Sequence, residues 1–337
     1  MNTLYPFKFK PIYKQKVWGD DRLKTKLNKT DAPQICGESW EISALEGDVS
    51  VVSNGFLAGN NLQEIIEIYM DEVVGKANFE KFGIEFPLLI KFIDANEQLS
   101  IQVHPNDEMA KEKHHAYGKT EMWFILDAES SGKIIMGFNK KITRKDFEKA
   151  IDEGTFLEIL NVEKELNRGD VFFIPAGRIH SIGKGVLVAE IQQTSDITYR
   201  LYDWERKGID GKPRQLHKDL ALEAIDYSYF SSYKTKYTKK VNQPNEVVNS
   251  KYFSVNYLKI NKELNRDFND YDTFVIYMAI DDEFYIKWEG KTEIVKKGET
   301  ILIPASIPFF SILPAKNENT EILEIFTNNQ KALTDEN

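Results

Sequence analysis

Apolar and polar side chains alternate through much of this chain in runs too short for helices. In LSIQVH, residues 99–104, an extended strand sends Leu99, Ile101 and Val103 to one face and Ser100, Gln102 and His104 to the other. Similar short runs, rich in β-branched and aromatic residues, recur as PLLIKFI, EMWFIL, KIIMGF, DVFFI, VLVAEIQQ and ITYRLYD. They return beyond residue 250 as YFSVNYLKI, TFVIYMAI, EFYIKW, TEIVK, TILI, FFSIL and EILEIF. Many short strands punctuated by Gly, Pro, Asn and Asp predict a mainly β protein, a sandwich or barrel. Helical periodicity is confined to a few places. In NLQEIIEIYMDEVVG, apolar side chains at 62, 65, 66, 69, 70, 73 and 74 form the stripe of an amphipathic helix, stopped by Gly75. TRKDFEKAIDEG opens with a capping box, Thr143 and Asp146, followed by a stripe of Phe147, Ala150 and Ile151. HKDLALEAIDY predicts a third helix. Residues 233–251 are polar, lysine-bearing and contain a proline, which predicts a linker between two β domains, 1–240 and 241–337.

An internal similarity supports two copies of one fold. RGDVFFIPAGRIHSI (168–182) and KGETILIPASIPFFS (297–311) align without a gap, each with Gly, an acid, four mainly apolar residues and Pro-Ala. His180 meets Phe309 in that alignment. The framework therefore does not need a histidine for packing, and His180 has another reason to be present. The second copy, from about 250 to 326, has no histidine at all, since the last in the chain is His217.

Charge and cysteine content narrow the partners. The 337 residues carry 44 Lys and Arg against 53 Asp and Glu, a net charge of −9. An acidic chain is a poor general partner for nucleic acid or anionic membrane, and a small anionic substrate would need local positive charge. The single cysteine, Cys36, excludes an intramolecular disulfide and a Cys-based zinc site and fits a reducing cytoplasm. MNTLYPFKFKPIYK has no apolar signal core, and no apolar run reaches the roughly 18 residues of a membrane helix. A cytoplasmic protein is expected.

Several polar residues interrupt the apolar strands. The Ser100, Gln102 and His104 face is either a polar exterior or a pocket. Lys119, Glu121 and Trp123 share a face if their strand begins near Lys119, and a Glu beside a Trp favours the pocket. Glu190 breaks the apolar run of VLVAEIQQ, and Thr198, Arg200 and Tyr202 share a face of ITYRLYD. An arginine in such a strand calls for an anion, either a carboxylate such as Glu190 or Asp203 or a substrate. His114 and His115 lie in a polar, helix-like insertion and read as surface residues, with a lid as the lesser alternative.

GDVFFIPAGRIH fits G-x5-P-x-G-x2-H at every fixed position, and so resembles the second motif of the cupin superfamily, whose His binds a metal inside a β-barrel. The first cupin motif departs from its usual form. Its two histidines separated by one residue are Gln102 and His104 here, and Glu121 follows His104 by 17 positions. With FPLLIKFIDANEQLSIQVHPND, GKTEMWFIL, IPAGRIHSIGKGVLVAEIQQTSDITYRLYDW, VWGD and GESWEIS, the chain resembles type I mannose-6-phosphate isomerase in its short bacterial form, from about residue 6 to 230. Asp20 stands where many relatives have a second glycine.

The resemblance implies two cupin-type jelly-roll β-barrels with a few peripheral helices. It also implies one zinc ion per chain, Zn2+, held by Gln102, His104, Glu121 and His180. That donor set would also accept Mn2+, Fe2+ or Co2+. Arg200 corresponds to the family's catalytic arginine, Glu190 to a proposed proton carrier, Lys119 to a pocket lysine and Ser100 to a pocket serine able to bind phosphate. The implied reaction interconverts mannose 6-phosphate and fructose 6-phosphate through a cis-enediol, with a sugar phosphate as partner and a monomer or homodimer as the working form. Its base is left between Glu190, a water on the metal and a histidine. Two other classes remain: a cupin oxygenase with a two-His, one-carboxylate triad, and a sugar-phosphate-binding protein without turnover. The first usually keeps its acid one residue after the first His, where Pro105 stands here. The second would have lost part of the constellation.

Overall fold

The computed structural model describes residues 3–316 and 319–329. It divides into two compact units, and neither is a continuous stretch. One unit comprises residues 13–40 and 89–235, the other residues 1–12, 41–88 and 236–337. A boundary at 240/241 would leave residues 1–12 and 41–88 with the segments that carry His104, Glu121 and His180, whereas here they cluster with the C-terminal part.

In the first unit a six-stranded sheet runs in the order Val171–Ile174, Glu121–Ala128, Val186–Gln193, Leu88–Ala95, Glu38–Ile42, Ile12–Lys14. A five-stranded sheet runs Leu160–Glu163, Ile134–Phe138, His180–Ile182, Ile101–Val103, Tyr199–Tyr202. Trp123, Ile125, Phe172, Ile174, Val186 and Val188 from the first sheet pack against Ile134, Met136 and Ile182 from the second in one buried cluster. The two sheets are open and face each other, where the resemblance implied a closed barrel.

The apolar side of the strand Ile101–Val103 faces outward, whereas Leu99, just before it, joins the inner cluster with Trp123. Ile101 and Val103 are buried under a helical layer supplied by Phe147 and Ala150 of helix Arg144–Asp152, Phe156 and Ile159 of the following 3-10 turn, and Ala221 of helix Lys218–Ala224. Helices cover that face, so the polar face of the strand is left to line the interior, the reverse of an ordinary half-buried sheet. Thr143 caps its helix as expected, accepting from Asp146 N while the Asp146 carboxylate accepts from Thr143 N. A further helix, Asp107–His114, fills the insertion between His104 and Glu121, with Asn106 capping it through Met109 N.

The second unit pairs a seven-stranded sheet with a four-stranded one. The larger runs Pro244–Asn249, Ser254–Ile260, Thr320–Phe326, Val275–Ala279, Thr300–Ile303, Phe7–Lys10, Val51–Val52, and the smaller Leu264–Asp267, Phe309–Pro314, Phe284–Trp288, Lys291–Val295. Three expectations change here. The linker expected over 233–251 contains the strand Pro244–Asn249, whose Val247 and Val248 are buried. The helix expected to run to Gly75 breaks at Met70, which has φ 49°, into Leu62–Tyr69 and Asp71–Val74. Phe309, which the sequence alignment sets against His180, is 57% exposed, and its neighbour Phe310, 1% exposed, takes the inward position. Among the described residues no helix is long and apolar enough to cross a membrane.

Candidate metal centre

The inner row of the five-stranded sheet is set by register. Gln102 is the Cα partner of both His180 and Arg200, so the three side chains emerge on one face. An irregularity separates Arg200 from Tyr202, which pairs with Ile101 and packs edge-on to Phe156 at 5.6 Å in the outer layer. The shared face expected for Arg200 and Tyr202 is therefore lost to this local slip. His104 follows directly on the strand. Its carbonyl accepts from Gly177 N at 2.9 Å, which ties the segments carrying His104 and His180 together. Gly177 has φ 87°, and a Cβ there would lie 2.8 Å from Ala224 O.

Glu121 opens its strand opposite Ile174 and Gln192 and reaches between the two imidazoles. His104 Nε2 lies 3.4 Å from Glu121 Oε2, and His180 Nε2 lies 3.4 Å from Oε1. All three residues are buried, and one ligand atom from each falls within 4.8 Å of the others. His104 Nδ1 meets Ile197 O at 2.9 Å and His180 Nδ1 meets Arg178 O at 2.8 Å. A carbonyl only accepts, so both rings carry their proton on Nδ1 and present the Nε2 lone pair to the centre. Burial pushes the His104 imidazole down to about 3, with Lys119 adding to the effect, and burial lowers His180 as well. Burial alone would raise Glu121, but the Lys119 ammonium beside it holds it well below the usual carboxylate range.

Neutral imidazoles and an ionised carboxylate are the protonation states a metal requires. His180 Nε2 and both Glu121 oxygens have no hydrogen-bond partner among the described residues. Lys119 Nζ lies 3.1 Å from Glu121 Oε2, in ion-pair range but off hydrogen-bond geometry, and 3.2 Å from His104 Nε2. The donors fit a divalent cation, for which nitrogen lone pairs and a carboxylate are ordinary ligands. Gln102 is half-buried on the same inner row, and Ser100 is buried just before it.

Glu190 lies two residues before Gln192 on the neighbouring strand. Its Oε2 accepts from Trp123 Nε1 at 2.8 Å, and Lys91 Nζ lies 3.2 Å from Oε1, close enough to pair but without a hydrogen bond. Burial raises its proton affinity and Glu121 adds to this. Lys91 also approaches Glu38 Oε2 at 3.7 Å, an oxygen that accepts from Trp40 Nε1 at 2.7 Å. Arg200 Nη1 donates to Gln215 O at 2.9 Å, and its Nε has no partner among the described residues. Asp203 is engaged by Arg206 and Arg214. Its negative charge is thus shared by two other guanidiniums, and three arginines gather at this end of the sheet.

His114 is exposed, yet its Nε2 lies 2.8 Å from Tyr199 OH on the Arg200 strand, and His115 forms the left-handed C-cap of the same helix. Lys91, Glu38, Gln192 and the Arg206/Arg214 pair did not emerge from the chain's pattern. Lys91 carries the signal that exposed Glu190, a charge inside an apolar strand, in PLLIKFI.

Residues 6–146 match the family model described as phosphomannose isomerase type I, catalytic domain, and residues 243–313 that of mannose-6-phosphate isomerase, cupin domain. The chain is 34% identical over 313 residues to mannose-6-phosphate isomerase ManA of Bacillus subtilis (strain 168), covering 92% of this chain and 96% of the relative. It is 36% identical over 211 residues to mannose-6-phosphate isomerase of Streptococcus mutans, covering 63% of this chain and 65% of that one. Among solved structures, the mannose 6-phosphate isomerase from Bacillus subtilis superposes with a TM-score of 0.84 at 32% identity, covering 96% of this chain and 99% of the other. Similarity of this extent runs through both units and the strands that carry His104, Glu121 and His180, and the chain belongs to the type I phosphomannose isomerase family.

Proposed function

We propose that this chain interconverts mannose 6-phosphate and fructose 6-phosphate, moving a proton between C1 and C2 through a cis-enediol. The observation that carries the reading is the convergence of two fixed Nε2 lone pairs on a buried carboxylate whose oxygens lack hydrogen bonds. We assign Gln102, His104, Glu121 and His180 as ligands of one Zn2+ per chain. When bound, the ion supplies positive charge beside the sugar oxygens on which negative charge develops.

The chain's own residues take the remaining roles. Arg200 offers an unpaired Nε–H from the row that carries Gln102 and His180, suited to an enediolate oxygen or a phosphate. Glu190 is the proton carrier, because burial raises its proton affinity and Trp123 holds one oxygen while Oε1 makes no hydrogen bond. Lys119 keeps Glu121 ionised and stands beside the reacting oxygens. Ser100 contributes to phosphate binding. Residues 13–40 and 89–235 form the catalytic unit, the other unit carries no metal ligand, and the protein works in the cytoplasm as a monomer or homodimer.

The test follows fructose 6-phosphate formation from mannose 6-phosphate by metal-stripped protein, before and after Zn2+ is returned. Turnover that appears with the metal and is lost in Glu190→Gln, with metal content unchanged, is the expected result. Folded, metal-loaded protein that leaves mannose 6-phosphate untouched would refute the isomerase reading.

A further inference from the structure

Two adjacent glutamines end the Glu190 strand, and they are satisfied differently. Gln193 is spent at both ends: its Oε1 accepts from Thr120 N at 2.8 Å and its Nε2 donates to Asp107 Oδ1 at 2.9 Å. Gln192 spends only its nitrogen. Its Nε2 donates to Gln193 O at 2.9 Å and to Ser195 O at 2.5 Å, which uses both N–H groups. Turning the amide over would set its oxygen against two carbonyls, so the orientation is fixed by the acceptors around it. The other end, Gln192 Oε1, has no hydrogen-bond partner among the described residues, although the side chain is 0% exposed.

Register gives the direction of that oxygen's strand face. Gln192 is the Cα partner of Glu121, and Glu190 that of Trp123, so all four side chains stand on the inner face of the sheet. Trp123 bonding to Glu190 confirms that side for this row. Directly opposed residues in an antiparallel pair hold their Cβ atoms about 5 Å apart. Gln192 therefore begins beside the carboxylate that meets both imidazoles. A buried acceptor left unpaired is costly, and one on the strand row opposite Glu121 marks the place of a donor that the described residues do not supply.

We propose that Gln192 Oε1 accepts a hydrogen bond from the substrate's hydroxyl at C3 or C4, and so helps to select the sugar. The inference rests on the isomerase reading above. The reacting C1 and C2 oxygens belong beside the Glu121 centre, and the next carbons of the sugar extend far enough to reach one position along the inner row. A neutral, rigid acceptor suits an uncharged hydroxyl, since it adds no charge to a site already rich in carboxylates.

The test measures kcat/KM of the wild type, Gln192→Leu and Gln192→Met with mannose 6-phosphate and with its 3-deoxy and 4-deoxy analogues. The variants are expected to lose about 10- to 100-fold with mannose 6-phosphate, and the wild type to lose a similar factor with one of the analogues. With that analogue the variants should match the wild type, because the partner hydroxyl is already gone. A loss in the variants that is equal for all three substrates would mean that the oxygen holds a water or supports the loop, and would overturn the proposal. So would a wild type indifferent to both deletions, a result that stands even if neither variant folds. A wild type inactive on mannose 6-phosphate itself sinks the isomerase reading instead, so the two failures are distinguishable.

Discussion

At the residue scale the centre is defined by which ring nitrogen holds its proton. Ile197 O and Arg178 O take the Nδ1 protons of His104 and His180, and burial keeps both rings neutral, His104 down to about 3. In the unfolded chain a histidine takes up its proton near pH 6.5. Below that pH the unfolded state binds more protons than the folded one, so stability falls as the solution is acidified. Glu121 acts in the same sense over a lower range, since its depressed carboxyl contributes above its ordinary value of 4.5 and that contribution is lost as pH falls further. Urea unfolding of metal-free protein should therefore lose up to about 1.4 kcal/mol per pH unit for each buried histidine between pH 6.5 and 5. His104→Asn should flatten that slope, and a wild-type curve already flat there would show that the rings are not held neutral. The residues proposed as ligands stood out in the sequence because they occupy fixed positions of a spaced motif on the polar faces of apolar strands. Gln192 did not, because a glutamine at a strand end is ordinary until its amide partners are known.

At the element scale the chain's alternation located the strands but not their inner faces. Ile101 and Val103 share one side in any sheet, and only the helical layer of Phe147, Phe156 and Ala221 decides that this side faces outward. Arg200 and Tyr202 are two apart in sequence, and the irregular register between them, invisible in the sequence, turns one in and the other out. The turn before His180 is more constrained. Gly177 holds a left-handed conformation, lies where a Cβ would press on Ala224 O, and donates to the carbonyl of His104. Gly177→Ala should cost about 1–3 kcal/mol and weaken the metal centre as well, because the turn and the ligand move together. Thermal unfolding with chelator competition checks both effects. A variant less stable yet unaltered in metal retention would mean that the His104 loop is held by other contacts.

At the scale of the whole molecule the internal similarity becomes a comparison of two interiors. Strand order around Val171–Ile174, Glu121–Ala128, Val186–Gln193 and Leu88–Ala95 is repeated by Thr300–Ile303, Val275–Ala279, Thr320–Phe326 and Ser254–Ile260. Tyr277 pairs with Glu324 as Trp123 pairs with Glu190, and Tyr277 OH donates to Glu324 Oε2 at 2.6 Å. Ile303 meets Val275 where Ile174 meets Glu121, so the Glu121 carboxylate is replaced by an apolar side chain. Arg266 pairs with the inward Phe310, as Gln102 pairs with His180. From there its guanidinium reaches Glu324, Nε to Oε2 at 2.7 Å and Nη2 to Oε1 at 2.8 Å, while Asn256 Nδ2 completes the carboxylate at 2.8 Å. One interior thus keeps its acceptors open, and the other closes them with an internal ion pair. Removing the cation alone strands a buried charge, so Arg266→Met should cost about 3–5 kcal/mol. Adding Glu324→Gln removes that charge and should recover much of the loss. Zinc content per folded chain should stay at the wild-type level in both variants, since none of the proposed ligands lies in this unit. Chemical denaturation together with metal analysis decides the matter: a double variant no more stable than the single one would show that the pair is not what holds this interior together.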